Sequence, residues 1–287
     1  MGLFKSKMQL GNSVISQKLS PFALAKHAAG KRLPRPIYHI LRRLLKSDRW
    51  PLSEHELRYD LNQIQAFESI LSRNDSSIHD FPKLLDFACG PARLMRHMPI
   101  LSPQTELHGC DTDPWCIYQS AKLCPTGTFY VNDIEPPLNY EDDSFDMIWS
   151  FSIFTSLPES KHKIWMKELS RILKPGGVML HTVHSYEYLK RSRTFSPERI
   201  EKYQLPLPLE QFIIEGPDYY YIADDPKTPD YGQALISKRY IKDIWPSITG
   251  LKLVDYRSAA IESYPEGCHD LVMMSKPLYP QSEILTI

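Results

Sequence analysis

From Phe81 onward the chain alternates short apolar runs with segments of helical spacing. Lys83 to Phe87, Thr105 to Cys110, Thr128 to Val131, Phe145 to Ser150 and Val178 to Val183 read as five strands. A helix begins near Pro91, and others are predicted over Pro114 to Leu123 and Glu159 to Leu173. The last sets Trp165, Leu169 and Ile172 on one face, and Lys174-Pro175-Gly176-Gly177 stops it. Strand and helix in alternation is the rhythm of a parallel sheet. A helix over Ser237 to Trp245 and two closing strands, Leu251 to Arg257 and Asp270 to Ser275, complete the pattern. The fold class is α/β: seven strands, mostly parallel, with helices on both faces.

Two regions break this rhythm. Residues 184–232 are rich in Tyr, Pro and acids with little periodicity, which predicts a lid or a binding insertion. Upstream, Ser53-x-x-Glu56 is a capping box before a long helix to about Ser72, and Asn74 to Ser77 link it to the sheet. The expected organisation is an N-terminal arm over 1–50, a domain over 51–276 and a loose tail over 277–287.

Charge sharpens the picture of the arm. The chain is neutral overall, yet residues 1–46 hold ten Lys/Arg and no acid, leaving 24 basic against 34 acidic side chains for the rest. Ser20-Pro21 can open a helix that Gly30 ends, and Pro36 to Lys46 spells a basic amphipathic helix. Such a helix can lie peripherally on an anionic membrane or grip an acidic partner. Packing on the domain with its cations solvated is the plainer alternative, and the one favoured. Met1-Gly2-Leu3-Phe4-Lys5-Ser6 fits the short M-G-x-x-x-S lipidation pattern, and an acid-free start suits a transit peptide; neither reading is adopted. Nucleic-acid binding is disfavoured, because the body is acidic and the arm has no RNA-recognition signature. No apolar run reaches the roughly 18 residues of a membrane span. Five cysteines without a C-x-x-C pair argue against a disulfide framework or a structural zinc site, so no metal is expected and a reduced, cytoplasmic setting is.

Candidate chemistry lies at the strand ends. Asp86 ends the first strand, Asp111 the second, and Asp133 follows the third. This is the rim where open α/β sheets bind ligands. An acid after strand two can accept from ribose hydroxyls, and an amide and acid after strand three can read an adenine edge. Asp86-Phe87-Ala88-Cys89-Gly90-Pro91-Ala92 is the tight turn between them. A dinucleotide site wants G-x-G-x-x-G, and only Gly90 is present.

The turn resembles the D-x-G-x-G-x-G motif of class I S-adenosylmethionine-dependent methyltransferases, with Ala at 88 and 92. Leu107 to Pro114 resembles the second motif of that family, Asp143 to Ile148 the fourth-strand motif, and Leu169 to Gly177 the entry to strand five. The resemblance implies a Rossmann-like sheet and S-adenosyl-L-methionine as cofactor. Asp86, Ala88, Cys89 and Gly90 would border its methionine part. Asp111 and Thr112 would hold the ribose, Asn132, Asp133 and Ile134 would flank the adenine, and Ser150 and Phe151 would lie by the sulfonium.

Ser152-Ile153-Phe154-Thr155-Ser156-Leu157 is similar to an S-V-F-T-H-L signature of bacterial methyltransferases often encoded near glycan or natural-product genes; here Ser156 replaces the His. Thr182-Val183-His184-Ser185, Tyr231-Gly232 and Cys268-His269-Asp270 extend the likeness to about residue 276. The implied activity is O-methylation of a small-molecule or glycan hydroxyl, which needs a base. His184 is the first candidate and His269, beside Asp270, the second; a hydrogen-bonding structural role is the alternative for each. His181, inside its strand, reads as core. Tyr219, Tyr220 and Tyr221 could line the acceptor pocket or pack the insertion. Arg93 and Arg96 could bind an anionic acceptor, with ion pairing favoured. A non-catalytic, partner-binding subunit of the same fold is the rival reading, and retention of the acids at 86, 111 and 133 argues against it.

Overall fold

The computed structural model describes residues 54–195, 201, 203–258 and 269–278. The N-terminal arm, Ser53 of the capping box and most of the C-terminal tail lie outside these residues.

Seven strands form one sheet: β1 (Lys83–Phe87), β2 (Glu106–Asp111), β3 (Thr128–Val131), β4 (Phe145–Ser150), β5 (Leu173–Val183), β8 (Lys252–Arg257) and β9 (Asp270–Ser275). Their order is β3-β2-β1-β4-β5-β9-β8. β1 to β5 pair in parallel, and β9 runs antiparallel between β5 and β8. The chain turns around between β1 and β4, so the C-terminal ends of these two strands open a crevice.

Alternation along each strand supplies two apolar faces. Leu84, Met147, Trp149, Leu180, Leu271 and Met273 face α1 (Glu54–Ser72), which lays down Leu57, Leu61, Ile64, Phe67 and Ile70. Phe67 and Trp149 meet at 5.3 Å between ring centroids. Leu85, Ile148, Met179, Val272 and Met274 face α4 (Glu159–Ile172) and the π-turn Tyr240–Ile244 that leads into α7 (Trp245–Thr249). α3 (Pro114–Leu123) connects β2 to β3.

One expectation needs correction. The segment after β1 is not a helix from Pro91. It is a turn, a 3-10 turn over Met95–His97 and one α turn, α2 (Met98–Leu101). Ala92 has φ +54°, and a left-handed residue cannot continue a right-handed helix. The described part of residues 184–232 holds regular elements. They form α5 (Tyr186–Phe195), α6 (Leu209–Glu215) and a hairpin of β6 (Tyr219–Ala223) with β7 (Gly232–Ile236). This insertion has its own small core of Tyr188, Leu189, Tyr203, Phe212 and Leu235. The Tyr219, Tyr220 and Tyr221 hydroxyls donate to the carbonyls of Leu157, Tyr203 and Pro229, so the trio packs the insertion.

α1 is tied to the segment after β1 by a buried charged knot. Asp60, fully buried, accepts from Arg93 Nη1 at 3.2 Å and Arg96 Nη2 at 2.5 Å, and lies 3.0 Å from His97 Nε2. Arg93 Nη2 also donates to Gln63 at 2.9 Å. Desolvation opposes the Asp60 charge, but His97 and the two arginines outweigh it and hold the carboxyl below its usual range. The arginines thus follow the ion-pair reading.

His181 is wholly buried on β5, with Nδ1 2.8 Å from Ser150 Oγ and the rings of Phe154 and Trp245 around it. Burial pushes its pKa down to about 3. Between that value and the unfolded value near 6.5 the unfolded chain binds a proton that the native chain refuses, so stability falls as pH falls through this window. Asp86, displaced upward, acts with the opposite sign, so the parent is compared with His181→Gln. By urea unfolding, the stability gap between the two should shrink by roughly 2 kcal/mol from pH 7 to pH 5. A constant gap would show that His181 is not held neutral.

Candidate active site

The turn after β1 is built from left-handed residues. Ala88, Gly90 and Ala92 have φ of +59°, +53° and +54°. Each position where the resembling motif carries glycine is one where the backbone enters the region that glycine tolerates best. The two alanines hold it at a steric cost of roughly 1 kcal/mol each. The turn sends the Gly90 N–H to Asp111 Oδ2 at 2.9 Å, while Asp111 Oδ1 accepts from the Asp113 N–H at 2.9 Å. Asp111 is thereby aimed from the end of β2 into the crevice, with a lone pair left on each oxygen.

A cleft of about 490 Å³ opens there, lined by Ala88, Asp111, Thr112, Asn132, Ile134 and Phe151 among others. Asn132 Oδ1 is buried with no hydrogen-bond partner among the described residues. A buried acceptor left open in a cleft is a place for a ligand donor. Ile153, Leu157 and Trp165 supply an apolar wall, and Asp230 and Tyr231 close the cleft from the β6–β7 turn.

The remaining expected residues lie around this cleft rather than in its lining. Asp86 is buried at the end of β1. Desolvation pushes its carboxyl up to about 7, with the nearby Asp111 charge adding to the rise and Trp149 and Arg93 pulling it back. Cys89 is buried against Ser120 and the Gly90 carbonyl, and burial pushes its thiol well up. Asp133 is exposed, and its carbonyl accepts from the Asn132 amide. Ser150 is fully buried and its hydroxyl is bonded to His181, because alternation on β4 turns its side chain into the core and leaves Phe151 at the rim.

A second cleft of about 310 Å³ adjoins the first, and Phe151, Ser152 and Tyr231 line both. It brings His184 and His269 together, their ring centroids 4.7 Å apart, with Tyr59, Tyr188, Tyr203, Thr155, Ser156 and Gln233 around them. His184 stacks on Tyr188 at 3.8 Å, and its Nδ1 lies 3.1 Å from Tyr203 Oη. His269 Nε2 lies 3.4 Å from Ser152 Oγ. Its neighbour Asp270 accepts from the Ser185 hydroxyl and from Tyr256 Oη at 2.8 Å.

The hairpin residues at the clefts had one signal in the sequence. Gly232 follows Tyr231, and a Cβ on it would meet the Ile222 carbonyl oxygen at 2.1 Å. Its N–H donates to the Ser156 carbonyl at 2.9 Å, and the Ala234 N–H donates to that of Thr155 at 2.8 Å. The close approach fastens the hairpin beside the clefts and sets Tyr231 over them.

The matches to known proteins agree with this geometry. Residues 84–177 match the family model described as a methyltransferase domain. That match spans the sheet from β1 into β5. Domains of this kind use S-adenosylmethionine, and the strand-end acid, the open amide and the small-residue turn fit that cofactor. Over 75 residues the chain is 32% identical to the 2-methyl-6-phytyl-1,4-hydroquinone methyltransferase of Synechocystis, a match spanning 25% of this chain and 23% of the relative. Among solved structures, a SAM-dependent methyltransferase of Methanosarcina mazei aligns with a TM-score of 0.51 at 17% identity, over 69% of this chain and 93% of its own. The magnesium protoporphyrin IX methyltransferase of Synechocystis, with bound SAH, aligns with a TM-score of 0.51 at 10% identity, over 83% and 94%. A S-adenosylmethionine-dependent methyltransferase of Clostridium acetobutylicum aligns with a TM-score of 0.50 at 14% identity, over 85% and 98%. At these identities the shared property is the fold.

The left-handed alanines of this domain give a direct test. Ala88→Gly should raise stability by about 0.5–1 kcal/mol, the relief of the left-handed alanine less the added flexibility of the unfolded chain. Thermal melting should show an increase of a few degrees at most. A lower Tm would mean that the Ala88 methyl contributes more by packing than its backbone costs.

Proposed function

We propose that the protein is an S-adenosylmethionine-dependent O-methyltransferase acting on a hydroxyl of a small molecule or a glycan. The observation that carries this reading is the meeting of the two clefts at Phe151 and Ser152. One cleft has the strand-end groups that suit the cofactor. The other is an aromatic and hydroxyl-rich chamber with two histidines and, among the described residues, no carboxylate or lysine in its lining. About 310 Å³ is room for one substituted ring.

S-adenosylmethionine supplies a methyl group to an oxygen nucleophile and is left as S-adenosylhomocysteine (SAH). The chain's own contribution is placement and proton handling. The Asp111 carboxylate would hold the ribose hydroxyls, and Asn132 Oδ1 would accept from the adenine edge. The face of Phe151 tolerates positive charge. Its ring already lies 5.1 Å from the Arg93 guanidinium. Tyr231 and the aromatic walls exclude water, and either His184 or His269 receives the acceptor proton.

Calorimetric titration tests the cofactor. Micromolar binding of S-adenosylmethionine and SAH should weaken by about 1–3 kcal/mol in Asp111→Ala, the scale of hydrogen bonds to a charged group. Unchanged affinity would displace Asp111 from the ribose. For the reaction, SAH release is followed with a panel of methyl glycosides and monocyclic phenols. Alanine at the histidine acting as base should lower turnover by roughly 100-fold or more. Near-parent turnover in both His184→Ala and His269→Ala would remove general-base catalysis from the reading.

A further inference from the structure

The segment joining β3 to β4 carries Asn132 and Ile134, and it is fastened at both ends. At the first end the Asn132 N–H donates to the Asp111 carbonyl at 3.1 Å, which continues the β2–β3 pairing past Val131. At the second, α4 holds the backbone through side chains. Glu168 accepts from the Leu138 N–H at 2.7 Å. Arg171 forks onto Glu168 at 2.6 and 2.9 Å and donates to the Tyr140 carbonyl at 2.9 Å. Glu168 is buried, and bonds of this charge-assisted, forked kind are strong and directional.

Ile134 lies between these ends. Its side chain lines the larger cleft and is still 61% exposed, so it offers an apolar wall that a ligand can cover. The next residue, Glu135, makes an ion pair with Lys161 of α4. Lys161 stands one helical turn before Trp165, so the two share a face of α4, and Trp165 lines the same cleft. The ion pair thus runs from the helix that carries one apolar wall to the loop that carries the other. The Glu135 side chain is 67% exposed, but that of Lys161 only 12%. With Lys161 already confined by its surroundings, the pair gives up less side-chain freedom than one between two exposed partners.

We infer that Lys161 is a positioning residue for the cofactor: through Glu135 it holds Ile134 across from Trp165 and sets the width of the slot that takes the adenine. This rests on the methyltransferase reading above. Lys161 touches no reacting atom, and its effect falls on the base end of the ligand rather than on the end that carries the methyl group.

Calorimetric titration of the full-length protein tests this with two ligands, SAH and 5′-methylthioadenosine, which keeps the adenosine part and lacks the amino acid. In Lys161→Met and in Glu135→Gln both ligands should weaken by the same factor, roughly two- to fivefold, the range of an ion pair with one exposed partner. Exchanging the charges, Lys161→Glu with Glu135→Lys, should bring the affinity back toward the parent value. Added salt should narrow the gap between the parent and the single variants, because Glu135 faces water. Glu135 is exposed, so Glu135→Gln keeps the test open should Lys161→Met fail to fold. Parent affinity in a folded single variant, a loss confined to SAH, or no recovery in the exchanged pair overturns the assignment while leaving the methyltransferase reading in place. A parent that binds neither ligand sinks that reading and the assignment with it.

Discussion

The structure depends on a backbone constraint: three alternate residues after β1 must be left-handed. Without that turn the Gly90 N–H would not reach Asp111, and the ends of β1 and β2 would not share one rim. Local propensity opposes the conformation at the two alanines, so it has to be imposed by tertiary contacts. Asp111 is one anchor. Ala92, wholly buried under α1, is another, because its small side chain is what lets the helix close over the turn. The same residue ends any helix that Pro91 could have begun, and the stretch to Leu101 breaks into short turns as a result.

The charged knot between α1 and this turn follows from the same geometry. Two guanidinium groups face the single carboxylate of Asp60, and burial lowers the His97 pKa despite that carboxylate, so the ring is not a third cation of consequence. The Arg93 side chain is 32% exposed, so water screens part of this charge, and its guanidinium lies over the rings of Tyr59 and Phe151, at 4.8 and 5.1 Å. One arginine of the turn after β1 therefore joins α1 to the wall shared by the two clefts. Its role as an internal strut uses the donors that an anionic acceptor would need.

How much of this could be read in the sequence depends on whether the signal was local. Strand runs, their terminal acids and the helix of Trp165 and Leu169 are short-range patterns, and they fall where the periodicity places them. The lining of the clefts from distant elements was less legible. Tyr59, from a helix more than ninety residues earlier, and Tyr231, from a hairpin tip, reach the clefts only through tertiary packing. The three consecutive tyrosines drew attention by composition, yet Tyr220 and Tyr221 bond carbonyls of the insertion and Tyr219 bonds the Leu157 carbonyl of the domain beside it. Ser150 and Phe151 were paired as rim residues, but adjacent positions at a strand end face opposite ways.

The histidines show how environment sorts one residue type into different roles. His162 and His181 both pack against the rings of Phe154 and Trp245, and burial drives both pKa values down, so neither can carry a proton near neutrality. They are aromatic core residues bonded to buried groups, His162 to the Tyr219 hydroxyl, His181 to the Ser150 hydroxyl and the Met179 sulfur. His184 and His269 are also buried, but they line a cleft. A ring on a cleft can meet water or a ligand as its charge changes, and a ring sealed among phenyl and indole faces cannot. Acid–base work is therefore open to the second pair and closed to the first.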